Sequence, residues 1–325
     1  MLAIADQLNE LDLSDLSLTG GEPTMSHSFD AILDRLRKDI PKGLNTNGTT
    51  LTPRLLKTLS ANGFDRLTIS MDSVVPLEND ASRGSNSYGA ISRGLRMALE
   101  AGFCIGVPVQ VSKLNVDSVP SSIREFARMG VDSVKINFVE DLGYAIGQGL
   151  SLSISERSHV LRTIRPLISE VEHLYGVKVG VESGIPFPEL FQMFEQSPCY
   201  CGHHRVMIKH DGGVVPCDAM AYPDGYSKLG FPVRKVPDDS LADIFAHDLL
   251  FQLYRDASGY FRPRGCEGCR FFSFCRGGCR SQAFLAAHSL FVRTPTCFKG
   301  PLQENVVNSS QEEDRLYERP QAARC

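Results

Sequence analysis

Eight of the ten cysteines fall within one 99-residue stretch: Cys199, Cys201, Cys217, Cys266, Cys269, Cys275, Cys279 and Cys297. Only Cys104 and Cys325 lie outside it. From Cys201 the order reads C-x10-G-x4-C, then a gap, then C-x2-C-x5-C-x3-C-x17-C. Thiolates are soft ligands for iron and zinc, and a C-x2-C turn brings two sulfurs to one centre, with Gly268 supplying backbone freedom. Eight sulfurs suffice for two four-thiolate sites. In a reducing compartment such density argues for metal ligation rather than disulfides. Spacing alone leaves open a pair of iron-sulfur clusters or a pair of zinc ions. The run Phe271-Phe272-Ser273-Phe274 beside these cysteines would exclude water from a redox centre.

Upstream, a helix-then-strand beat runs from residue 1 to about 182. Short apolar strands are expected at 16–19, 43–47, 66–70, 105–111 and 134–139, between amphipathic helices at 1–11, 29–38, 53–62, 88–101 and 119–129. Gly63, Gly102 and Gly130 stand just after the last three helices, where a left-handed residue ends a helix. Such alternation implies parallel strands joined by right-handed crossovers. Polar or small residues follow each strand: Gly20-Gly21-Glu22, Thr46-Asn47-Gly48, Ser70-Met71-Asp72, Ser112-Lys113-Leu114-Asn115 and Glu140-Asp141. Ligands of parallel α/β folds sit at the strands' C-terminal ends, so these five loops are expected to share one mouth. The competing reading makes them plain turns and caps. A longer helix at 155–175 and a strand at 178–181 lead into the cysteine region, where glycine and proline break the beat. The chain therefore divides into 1–182, 183–301 and a polar tail, 302–325.

Length and charge narrow the function. At 325 residues the chain has room for about two domains. Lys and Arg number 34 against 38 Asp and Glu, a net charge of −4, so no basic surplus points to nucleic acid. No apolar run reaches the roughly 20 residues that span a bilayer, and the start carries acids where a signal peptide carries bases. A cytoplasmic protein, with neither nucleic acid nor membrane as partner, is expected.

The order from Cys201 to Cys297 resembles the seven-cysteine SPASM motif that follows the barrel of many radical S-adenosylmethionine (SAM) enzymes. LSLTGGEPTM resembles the second strand and GGE motif of those barrels, and LNTNGT and LTISMDS resemble their third and fourth strand ends. The resemblance implies an α/β fold: a partial (β/α)6 radical SAM barrel without its first strand, then a small irregular α+β SPASM domain. It implies that Cys201, Cys217 and Cys279 hold one auxiliary [4Fe-4S] cluster, with Cys199 the candidate fourth ligand. Cys266, Cys269, Cys275 and Cys297 would hold the other. Gly20, Gly21 and Glu22 would take the methionyl ammonium of SAM, and Ser70 and Asp72 would lie near its ribose or carboxylate. Asn47 and Ser112 would lie close by, and Asn137 to Val139 would face the adenine.

One departure is large. The family's catalytic cluster is held by C-x3-C-x2-C just after the first strand, and this sequence begins beyond that point, with Cys104 a single thiol read as core. A third, catalytic [4Fe-4S] cluster is thus expected only in a full-length form. The chain is read as a fragment or misplaced start, ahead of a pseudoenzyme or a protein whose partner supplies the strand. In the parent enzyme the resemblance implies a 5′-deoxyadenosyl radical that abstracts hydrogen from a peptide or protein, with oxidative modification as the outcome. A reductant such as flavodoxin or ferredoxin is the further partner. No catalytic base is named: Glu140 and Asp141 are read as solvated acids, and His203 and His204 as neighbours of a cluster rather than ligands. The alternatives are an iron-sulfur electron carrier or pseudoenzyme scaffold without SAM cleavage, and a zinc-stabilised interaction module.

Overall fold

A computed structural model of the chain describes residues 1–141, 145–181, 201–221, 233–259 and 262–300, with the side chains of 257–259 left aside. It divides into two units, Met1–Glu182 and Ser183–Cys325.

The first unit carries one six-stranded parallel sheet. Its strands are β1 (Leu16–Leu18), β2 (Lys42–Thr46), β3 (Phe64–Ile69), β4 (Cys104–Val111), β5 (Ser133–Phe138) and β6 (Lys178–Val181), paired in chain order. The helices are α1 (Leu2–Asn9), α2 (Phe29–Arg35), α3 (Pro53–Ala61), α4 (Pro76–Arg83), α5 (Ser87–Glu100), α6 (Val119–Met129) and α7 (Ile154–Tyr175). Their ends follow local chemistry. Thr52 caps α3 by accepting from Leu55 N–H, with Pro53 in the first turn, and Ser153 and Glu156 form a reciprocal capping box on α7. Gly63, Gly102 and Gly130 all have positive φ just beyond their helices. The helix expected at 29–38 stops at Arg35, because Asn9 takes the backbone N–H of Arg37 and draws the chain away. Helix α4 lies in a stretch where no element was expected.

The sheet's two faces differ. Leu44, Leu67, Ile69, Val107, Val109, Val134 and Ile136 are buried on one face, and Ile69 lies toward Ile91 of α5 across Gly48. The other face bears Ser17, Asn45, Thr68, Gln110 and Asn137, mostly half-buried. A Cβ on Gly43 would meet Ser17 Oγ at 3.3 Å, and one on Gly106 would meet Ser133 Oγ at 3.2 Å, so small residues line this face near its N-terminal end. Parallel sheets are ordinarily apolar on both faces. A polar second face therefore marks a surface built for a polar ligand.

In the second unit a two-stranded hairpin, β7 (Met207–Ile208) and β8 (Val214–Val215), precedes helices Leu241–His247, Leu249–Gly259, Phe272–Cys275 and Arg280–Ala287. The glycine of the C-x10-G-x4-C spacing is Gly212, at φ +85°. A Cβ there would lie 2.2 Å from the Val236 carbonyl oxygen, so no other residue fits. The core gathers Val215, Cys217, Met220, Leu250, Leu253, Tyr254, Phe284, Leu290 and Phe291. No helix among the described residues is long and apolar enough to cross a membrane.

Candidate functional site

Hydrogen bonds tie all five strand-end loops of the first unit together. Glu22 links the first two: its Oε1 accepts from Thr24 Oγ1 (2.6 Å) and Thr46 Oγ1 (2.8 Å), and its Oε2 from Asn47 N–H (2.7 Å). The carboxylate is thus already engaged by its own chain, and Glu22 acts first as the organiser of the loop. Gly20 and Gly21 are exposed, and a Cβ on either would meet nothing within 4 Å, so their outer side is open to an approaching group. Ser70 N–H donates to Thr46 O (3.0 Å), joining the second loop to the third.

Asp72 is buried and joins the third loop to the fourth. Its carboxylate accepts from Arg83 Nη2 (2.6 Å), Gln110 N–H (2.9 Å) and the Ser82 hydroxyl. Its own carbonyl accepts from Asn115 Nδ2 (2.8 Å), while Asn115 Oδ1 accepts from Ser112 N–H (2.9 Å). Asp72 is therefore held as a buried ion pair with Arg83 and bonded away from solvent. Val139 N–H donates to Val111 O (2.9 Å), tying the fourth loop to the fifth. Arg157 braces that fifth end through Glu140 Oε1 (2.5 Å) and Oε2 (2.9 Å) and the Val139 carbonyl (3.3 Å). Asp141 accepts from Ser151 Oγ (2.6 Å), so both acids of the Glu140-Asp141 pair are bonded rather than simply solvated.

One polar atom of this mouth is left over. Asn137 Oδ1 is buried without a hydrogen-bond partner. An orphaned acceptor on a polar sheet face fits a ligand that brings its own donor, as the amino groups of SAM do. Backbone packing fixes the neighbouring loop: a Cβ on Gly94 of α5 would lie 2.1 Å from the Gly48 carbonyl oxygen. Arg83, Gln110 and Arg157 were not singled out from sequence, because each acts on a residue 11 to 38 positions away.

In the second unit Cys217 shares a buried core with Tyr254, and Cys201 packs against it. Burial pushes the Tyr254 phenol well above the ordinary value; the Cys217, Cys279 and Cys201 thiols add to that and Ser281's hydrogen bond opposes it. Burial pushes the Cys266 thiol up to about 12; Arg280 opposes that, and Cys275, Cys297 and Cys269 add to it. A thiol so hard to ionise becomes a thiolate in exchange for a metal cation. Soft donors of this kind fit iron-sulfur clusters by their chemistry. Among the described residues no three Cys, His, Asp or Glu side chains converge on a single-ion site, so donor type rather than coordination geometry carries the fit. Cys199 lies outside the described residues.

Local folding explains the spacing. Cys269 N–H donates to Cys266 O (3.1 Å) across Gly268 at φ +61°, closing the C-x2-C turn. Arg276, Gly277 and Gly278 are left-handed in succession between Cys275 and Cys279. The aromatic run behaves differently from expectation. Phe271 packs edge-on against Phe298 at 5.4 Å and Phe272 lies under Arg262 at 4.3 Å, but Phe274 is exposed, since the short helix Phe272–Cys275 turns it outward. Cys104 is likewise exposed rather than core, at the N-terminal end of β4 and so away from the mouth. It is the one cysteine in residues 1–182, and these residues do not supply three thiolates for a catalytic cluster. His203 is half-buried and its imidazole shifts below the ordinary value through burial, then His204 and Arg255.

Comparison with known proteins gives matches for both units. Residues 1–126 match the radical SAM superfamily model, and residues 199–270 match the model of the SPASM iron-sulfur cluster-binding domain. The PqqA peptide cyclase of Granulibacter bethesdensis is 27% identical over 307 residues, covering 92% of this chain and 78% of that protein. The mycofactocin maturase MftC of Mycolicibacterium smegmatis is 25% identical, covering 91% and 74%. Among solved structures, Streptococcus suis SuiB superposes with a TM-score of 0.71 at 15% identity over 91% of this chain and 69% of SuiB. Native anSMEcpe with bound AdoMet gives 0.66 at 16% identity over 97% and 85%.

Proposed function

We propose that this chain, whose residues 1–126 match the radical SAM superfamily model and 199–270 the SPASM model, serves the oxidative modification of a peptide or protein. SAM occupies the mouth of the first unit. Glu22 holds the Gly20–Gly21 loop and the Asn47 turn in register for the methionyl end. Ser70 and Ser112 line the middle of the mouth, where Asp72 fixes the loops through Arg83 and Gln110. Asn137 and Val139 take the adenine end, braced by Arg157.

Two [4Fe-4S] clusters belong to the second unit. Cys201, Cys217 and Cys279 hold one, with Cys199 as fourth ligand, and Cys266, Cys269, Cys275 and Cys297 hold the other. When bound, such clusters would supply one-electron chemistry, here accepting the electron that a substrate radical gives up on becoming the oxidised product. The protein's own part is to orient the thiolates and keep water from them. Residues 1–182 hold a single cysteine, Cys104, so no cleavage step is assigned to them. The substrate class has support from the relatives, one named a peptide cyclase and another, SuiB, solved with its precursor peptide SuiA.

The observations that carry this reading are the matches of residues 1–126 and 199–270 to the radical SAM and SPASM models and the order of seven cysteines from Cys201 to Cys297. Its test is elemental and spectroscopic. Protein purified and reconstituted without oxygen is expected to hold iron and acid-labile sulfide in the amount of two four-iron clusters, and to bind SAM. Stoichiometric zinc in a colourless protein would refute it. The electron-carrier reading stands second, since it needs only the cysteine-rich stretch from Cys199 to Cys297. SAM binding decides between them, because a carrier has no use for the Gly20–Glu22 loop.

A further inference from the structure

Lys135 is the third of the six residues of β5, a strand with β4 on one side and β6 on the other. Alternation places it on the polar face of the sheet, with Ser133 and Asn137. Parallel sheets ordinarily cover both faces with apolar packing. Yet this lysine, at the middle of an inner strand, is exposed, and no hydrogen bond or ion pair reaches it from the described residues.

Its surroundings leave it room and an unanswered charge. Pro108 and Gly180 stand in register beside it and offer no polar side chain, and a Cβ on Gly180 would meet nothing within 4 Å. The strand residues of this face include Arg66, Lys135 and Lys178 but no Asp or Glu. Arg66 is bound by Asp15 and by Asp65 (3.2 Å), so its charge is met. In a chain of net charge −4 this face is a local positive surface, and an anion is what it attracts.

Two positions along β5, about 7 Å nearer the mouth, Asn137 keeps its unpartnered Oδ1. Gln110 stands in register beside Asn137, and its side-chain amide makes no hydrogen bond with the described residues. An amide matches a peptide group, and an ammonium matches a carboxylate. SAM leaves the lysine unexplained: its sulfonium is itself a cation. Its methionyl end belongs, in the reading above, to the Gly20–Glu22 loop after β1, four strands from β5.

We propose that Lys135 recognises a carboxylate of the peptide substrate, carried by an acidic side chain or by the C-terminus, while Gln110 bonds a neighbouring peptide group. Lys135 selects and orients the substrate and takes no part in breaking bonds. The proposal rests on the peptide-modifying reading, whose iron content and SAM binding are tested separately in the wild-type chain.

The deciding experiment measures binding of three acetylated tripeptides by saturation-transfer NMR, on anaerobically reconstituted protein with SAM bound. One is Ala-Glu-Ala amide, one is Ala-Ala-Ala with a free C-terminus, and the neutral reference is Ala-Ala-Ala amide. Wild type is compared with Lys135→Met and Lys135→Gln, which remove the charge, Lys135→Arg, which keeps it, and Lys57→Met on the outer surface of α3. Wild type is expected to bind at least one carboxylate peptide in the millimolar range and about tenfold more tightly than the neutral one. The preferred peptide names the carboxylate's source. That preference should vanish in Lys135→Met and Lys135→Gln, persist in Lys135→Arg and Lys57→Met, and leave SAM affinity unchanged throughout. Wild type binding all three peptides alike, or none, would overturn the proposal without any variant. So would a preference that survives loss of the Lys135 charge, one that Lys57→Met removes equally, or a loss of SAM affinity in Lys135→Met, which would assign the lysine to SAM's own carboxylate.

Discussion

Tyr254 and Ser281 hold their hydroxyl oxygens 2.6 Å apart in the buried interior of the second unit, in the core that holds Cys217. Ser281 stands two residues past Cys279, so this bond fixes the helix that follows Cys279 against a ring that shares its core with Cys217. Tyr254→Phe keeps the ring and deletes the bond. It is expected to lower stability by about 1–2 kcal/mol, the cost of a buried hydrogen bond whose partner stays behind. Denaturant unfolding of the iron-loaded protein measures it, and an unchanged midpoint would mean that the ring alone matters.

Gly94 and the Gly48 carbonyl define a second contact that can be tested. Gly94→Ala would place a methyl group 2.1 Å from that oxygen, so α5 must move off the Asn47 turn. A loss of more than about 2 kcal/mol is expected from such overpacking, and calorimetry should find SAM binding weakened about tenfold as Asn47 leaves Glu22. Ser92→Ala serves as control on the same helix. Ser92 Oγ is buried without a hydrogen-bond partner, so its removal should leave stability equal or higher.

What the sequence made legible follows from which interactions are local. The alternation of helix and strand is written in apolar spacing and in Gly63, Gly102 and Gly130, and the parallel sheet follows it strand by strand. Helix α4 escaped because its residues show little apolar period. It is held instead by long-range bonds, Glu78 to the Ser118 hydroxyl and Arg83 to Asp72. Nor did spacing announce the three successive left-handed residues, Arg276, Gly277 and Gly278, that set the path of the chain between Cys275 and Cys279. Arg157 and Arg280 were equally silent. Arg157 lies 17 residues from Glu140, and Arg280 reaches carbonyls 10 and 12 residues ahead.

Asp80 gives the first unit a pH signature. Its carboxylate is lowered below the ordinary range by Tyr88 N–H (2.7 Å), with the Ser87 hydroxyl (3.1 Å) and Asn86 N–H (3.0 Å) helping against burial. These donors open α5, so the ionised form anchors that helix. A depressed folded value means the contribution is complete above the unfolded carboxylate's titration, near about pH 4, and fades as pH falls through the folded one. Melting temperatures of wild type and Asp80→Asn should differ most near about pH 6 and converge toward about pH 3. A constant difference across that range would show that geometry, not charge, anchors the helix.

Asn137 should trade stability for binding. Its Oδ1 is buried with no partner, and such an acceptor costs about 1–3 kcal/mol while the ligand is absent. Asn137→Leu removes the orphan and fills the same space with apolar surface. Without SAM this variant is expected to melt at the same temperature as wild type or higher. With SAM, wild type should gain more stability than the variant, because only its acceptor finds a donor, and the difference reports about a tenfold loss of affinity. Thermal shifts with and without SAM read both halves in one experiment. A variant that is destabilised alone but gains as much as wild type from SAM would place Asn137 in the frame of β5 rather than at the ligand.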